Sequence, residues 1–112
     1  MIVESFIIQH LTAVLPVAVM GEIPPGPPDN LVVVSRQGTE RENHISTALI
    51  RFDCYSTSLY KSAELSATVQ AAVDELVRLP EISCCEFGGD YNNSDPRQKK
   101  YCYTSMYNIT YL

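Results

Sequence analysis

The sequence predicts an α+β fold: two helices packed on one face of an antiparallel sheet of four to five strands, in the order α-β-β-β-α-β-β. Three observations carry this expectation. Residues 44–56 alternate over a long run, with Ser46, Ala48, Ile50, Phe52 and Cys54 on one face and Ile45, Thr47, Leu49, Arg51, Asp53 and Tyr55 on the other. Residues 2–15 repeat apolar side chains at three- and four-residue steps. Between residues 58 and 79, Ala63, Val69, Ala72, Val73, Leu76 and Val77 supply a second helical stripe. Helices layered on one face of such a sheet bury both stripes at once.

The elements follow in order. The first helix uses Ile2, Val3, Phe6, Ile7, Leu11, Val14 and Leu15; Glu4 suits its N-terminal dipole and Pro16 ends it. Residues 17–22 form a short strand, and Pro24, Pro25, Gly26, Pro27 and Pro28 make a stiff connector ending in Asp29-Asn30. Residues 31–35 form a strand whose valine run implies burial on both faces, with a partner subunit as one source of the second cover. A mixed-charge hairpin loop is expected over 36–43, with Arg36, Glu40, Arg41 and Glu42 around Gly38. The alternating strand 44–56 comes next, then a helix capped by Ser56, Thr57 or Ser58 and ended by Pro80. A strand over 82–87 is closed by Gly88-Gly89, and 90–96 is dense in turn formers. The last strand, 99–112, sets Tyr101, Tyr103, Tyr107, Ile109 and Tyr111 on one face, which reads either as an interface or as the edge of the core.

Size and charge narrow the function classes. A chain of 112 residues makes one domain, 1–112, with one core. A hydrophobic fraction of 46% argues against disorder. Net charge is −5, so a free-standing duplex-DNA binder is disfavoured; the basic cluster Arg97, Lys99 and Lys100 reads as a solvated loop. The apolar run after His10 is too short for a membrane span, and no Lys or Arg precedes it to make a signal peptide, so the expectation is a cytoplasmic chain. Cys54, Cys84, Cys85 and Cys102 lack metal-ligand spacing and read as free thiols that pack as small hydrophobes. No phosphate loop, nucleophile motif or paired-carboxylate arrangement stands out, and no enzyme, cofactor or metal is expected.

Three stretches carry a family resemblance: LPVAVMGEIPPGPP at 15–28, the run 31–76 beginning LVVVSRQGTERENHISTALIRF, and YNNSDPRQKKYCYTSMYNITY at 91–111. Together they resemble the small tail-completion, or tail-terminator, proteins of tailed bacteriophages and prophages, and the element order is similar to that of the lambda-type terminator. The resemblance covers nearly the whole chain as pattern and texture, without a signature motif. It implies a virion structural protein, assembled in the bacterial host cytoplasm, that forms a homo-hexameric ring on the head-proximal end of the tail. Such a ring ends polymerisation of the tail tube protein and docks the head-tail connector or stopper, and DNA passes through its lumen without specific binding. The acidic balance suits such a lumen. Arg36, Glu40, Arg41 and Glu42, with Tyr101, Tyr103 and Tyr107, are the expected subunit or tube contacts. Another phage neck protein, for head completion or stopping, is the alternative; a small monomeric protein-binding adaptor is a further one.

Overall fold

The computed structural model describes residues 1–95, 97–98 and 100–112. Lys99, placed above in the basic cluster and at the start of the last strand, lies outside the described residues, as does Pro96 of the turn-rich stretch.

Helix α1 (Val3–Val14) buries Val3, Ile7 and Leu11, one residue per turn on a single face. Ile2 and Val14, expected in the stripe, are exposed, because one narrow contact line meets the sheet. The helix ends at Leu15, whose amide still donates to the Leu11 carbonyl before Pro16 turns the chain extended.

Strand β1 (Ala18–Met20) runs parallel to β2 (Leu31–Glu42), so the sheet is mostly rather than wholly antiparallel. The proline-rich connector carries the chain back along the sheet, with Gly26 at φ 61°. The run from Leu31 to Val34 is fully buried, as its composition implies. The isolated chain already buries it, so the second cover needs no partner subunit. Ile23, Pro27 and Pro28 of the connector share a groove of about 190 Å³ with Leu31, Tyr55 and Tyr101.

The expected loop over 36–43 is strand. β2 continues to Glu42 and pairs with β3 (Ile45–Ser56) up to Glu42↔Ile45. Gly38 marks a bulge, with the register shifting between Arg36 and Gly38. The turn is only Asn43-His44, at φ 51° and 65°, the left-handed pair that a two-residue hairpin requires.

On β3 the alternation holds: Ser46, Ala48, Ile50, Phe52 and Cys54 are all buried beneath the helices.

Helix α2 (Leu59–Asp74) is capped by Ser58, whose hydroxyl accepts from the Lys61 amide at 3.1 Å. Ser58→Ala should lower stability by about 1 kcal/mol, read as a shift in urea midpoint at unchanged slope. The buried side of α2 is Ser62, Ser66, Val69 and Val73, continued by Leu76 in a 3₁₀ turn (Glu75–Arg78). Ala63 is half-buried and Val77 is 48% exposed, against expectation. Two small serines let the first turns sit close on the sheet, and the tighter final turn rotates Val77 outward.

Strand β4 (Ile82–Asn92) does not stop at Gly88-Gly89. The pair forms an irregularity between Phe87 and Asp90, with Gly89 at φ 109°. At Gly88 an added Cβ would sit 3.2 Å from the Met106 carbonyl oxygen, so close backbone approach explains that glycine.

Strand β5 (Tyr101–Tyr111) enters the middle of the sheet, giving the order β1-β2-β3-β5-β4. Phe52 and Phe87 meet the Tyr107 ring edge-on at 5.7 and 5.4 Å, and the Tyr107 hydroxyl donates to Asp74 Oδ1 at 3.1 Å. Among the described residues no helix is long and apolar enough to cross a membrane.

Candidate interaction surface

The four charged residues singled out in the sequence lie on the β2–β3 hairpin but not on one face. Arg36 and Arg41 pair with Ile50 and Ser46, which face the helices; Glu40 and Glu42 pair with Thr47 and Ile45, which face away. Arg36 is engaged within the chain: its Nε donates to Glu4 Oε2 at 3.0 Å and ties β2 to the start of α1. Glu40, Arg41 and Glu42 are exposed, and none has an ion-pair partner among the described residues.

β1 covers the outer edge of β2 only from Leu31 to Val33, so from Val34 onward that edge has no strand partner among the described residues. The bulge and the alternating charges blunt it against indiscriminate pairing. On the helix-free face of the hairpin lie two shallow grooves. One, about 420 Å³, is lined by Glu40, Glu42, Asn43, Ile45 and Thr47 with Arg41; the other, about 350 Å³, includes Leu49 and Asn108.

The tyrosine row divides. Tyr107 is 1% exposed and belongs to the core, so it is not available to a partner in this fold. Its burial, followed by its hydrogen bond to Asp74, raises its pKa. Tyr101 and Tyr103 are half-buried near the Ser56 end of β3, opposite to the hairpin turn. β5 is an inner strand, flanked by β3 and β4, and its helix-side row is roofed by α2.

A polar cluster that pattern reading did not single out sits on the helix-free face. Asp53 has a side chain only 10% exposed although no helix covers it. Its Oδ1 accepts from Arg51 Nε at 2.9 Å and from the Thr104 hydroxyl at 2.5 Å. The hydrogen bond to Asp53 is the main reason the Arg51 pKa is raised. Two alternating charges on a strand, Arg51 and Asp53, were the available signal; the partner Thr104 lies 51 residues away.

The thiols separate by environment. Burial pushes Cys54 and Cys85 up to about 12, and it also raises Cys102. Cys85 donates to the Val73 carbonyl at 3.3 Å, while Cys84, on the opposite face of β4, is exposed rather than packed. A maleimide at neutral pH should therefore label one site per folded chain within minutes, abolished in Cys84→Ser, and all four only after denaturation. Rapid labelling of a second cysteine in the folded chain would contradict this placement.

No protein-family model matches the chain, and no curated protein matches its sequence.

Proposed function

We propose that this chain is a virion structural protein that closes into a ring on the head-proximal end of a phage tail tube. There it ends tube polymerisation and presents the surface that docks the head connector. The observation that carries the reading is the β2–β3 hairpin, a long charged arm whose outer edge has no strand partner beyond Val33, and whose terminal acidic and basic groups have no ion-pair partner, among the described residues. An arm of this kind suits a heterologous contact, in which one patch of a subunit meets a different patch of the next and rotation closes the ring. The resemblance of 15–28, 31–76 and 91–111 to tail terminators supplies the particular role. Net charge of −5 fits a ring through which DNA passes without being held.

The test is mass by light scattering over a concentration series, with negative-stain imaging of the same sample and with purified tail tubes added. Six-fold rings with a central hole, seated at one end of the tubes, are expected. Rings that seat on a portal instead of a tube would reassign the chain to a neck stopper. A monomer that ignores tubes would overturn the ring and favour an adaptor. Retention of the purified protein on duplex DNA at physiological salt would contradict the passive lumen.

A further inference from the structure

The strands carry three arginines, and Arg51 alone points away from the helices. Its Nε is held by Asp53, itself held by Thr104, so the guanidinium is fixed in place rather than free to swing. Its two Nη groups make no hydrogen bond among the described residues, and its side chain is 30% exposed. Around it lie Met106, directly across on β5, the exposed Leu49 two residues before it, and the exposed Tyr91 beyond Thr104. An immobilised arginine rimmed by aliphatic and aromatic surface is the composition of an interface anchor that takes a carboxylate.

The complementary group is present in the same chain but out of reach. Glu40 and Glu42 share this face of the sheet beside Thr47 and the exposed Ile45. Thr47 and Arg51 are four residues apart on β3, roughly 13 Å at strand spacing, too far for an ion pair within one copy. The acidic row has no other partner among the described residues, and Ile45 beside it offers an apolar contact for Leu49 and Met106.

We infer that the helix-free face around Arg51 receives the β2–β3 hairpin of a second copy of this chain, with Glu40 and Glu42 of one copy closing on the Arg51 guanidinium of the other. The contact deepens the ring reading and rests on it for its head-to-tail geometry. The donor patch and the acceptor patch are different parts of the surface, so each copy gives one arm and takes one.

The experiment is a charge swap in the full chain, read as the concentration midpoint of association by light scattering, with circular dichroism as the check on folding. Glu40→Arg with Glu42→Arg, at exposed strand positions that should leave folding intact, should raise the midpoint at least about tenfold. Arg51→Glu should do the same, and the triple variant should return to within about threefold of the parent. Because Arg51→Glu sets a second carboxylate beside Asp53, Arg51→Met is made in parallel; it should weaken association without any rescue by the glutamate changes. Rings that persist in the Glu40, Glu42 variant would overturn this contact and leave the ring reading standing. Open filaments or dimers that dissolve on the swap and return in the triple variant would uphold the contact and overturn the tail-cap reading. A parent chain that stays monomeric even with tail tubes overturns both.

Discussion

Phe52→Ala should cost about 3–5 kcal/mol and lower the urea midpoint steeply. The native state of a domain this size is worth only about 5–15 kcal/mol in total. Phe52 is fully buried on the helix side of β3, between α2 above and the Tyr107 ring beside it. Truncation removes the ring's burial and also opens a void that three strands and a helix close only in part. It takes away the edge-on partner that holds Tyr107, whose hydroxyl reaches Asp74 and so ties β5 to the end of α2. Phe52→Leu, which keeps most of the volume, should cost less than half as much. Because the chain has no Trp, the transition is best followed by far-ultraviolet circular dichroism in urea. A Phe52→Ala midpoint within about 1 kcal/mol of the parent would mean that the core is not organised around this pair.

The second large effect is alkaline. Cys54, Cys85 and Tyr55 are pushed up to about 12, chiefly by burial, and Tyr107 is raised as well. All four are neutral when protonated, so the folded chain holds these protons more tightly than the unfolded chain does. Below the ordinary thiol and phenol values, near 9 and 10, both states are protonated and the stability is fully present. As pH rises past those values the unfolded chain releases protons that the folded chain retains, and stability falls until the raised values are reached. Cys54, with no exposed surface, accounts for a loss on the order of 4 kcal/mol across that window. Tyr55, half-buried, contributes less after solvent screening, and the buried Tyr107 acts in the same direction. The urea midpoint should hold steady from pH 7 to about 8.5 and drop steeply by pH 11. Cys54→Ala should soften the drop. A midpoint that is flat to pH 11 would show that these groups ionise without unfolding the chain.

Much of this architecture was readable from side-chain period alone. The alternation of β3 and the spacing of Val3, Ile7 and Leu11 place residues correctly because each pattern reports one face against one core. Three features escaped for physical reasons. Arg36 to Glu42 read as a loop because charged residues and a glycine disfavour strands, yet in-register pairing with β3 across a two-residue turn overrides that preference. The Gly88-Gly89 pair read as a stop because glycine more often ends strands than bends them. The serine side of α2 was invisible to a count of apolar residues, since Ser62 and Ser66 are buried for their small size, Ser62 with its hydroxyl bonded to the Leu59 carbonyl. For the interaction surface, exposed charge on the hairpin was legible but its division between two faces was not. That division depends on the bulge near Gly38, and the Arg51–Asp53–Thr104 cluster depends on a strand pairing that no local pattern encodes.

The Asn43-His44 turn also governs timing. β2 and β3 are joined by two residues, so their pairing closes a minimal loop and can form within microseconds of the start of folding. The β3–β5 ladder, by contrast, joins residues such as Asp53 and Thr104 across 51 positions and closes a much longer loop at higher entropic cost. The arm is thus the strand pairing with the lowest closure cost in the sheet, and the rest of the core then holds it in place. A lengthened turn, for example two glycines inserted after Asn43, should slow refolding more than it speeds unfolding in a stopped-flow chevron, the mark of an element already formed at the barrier.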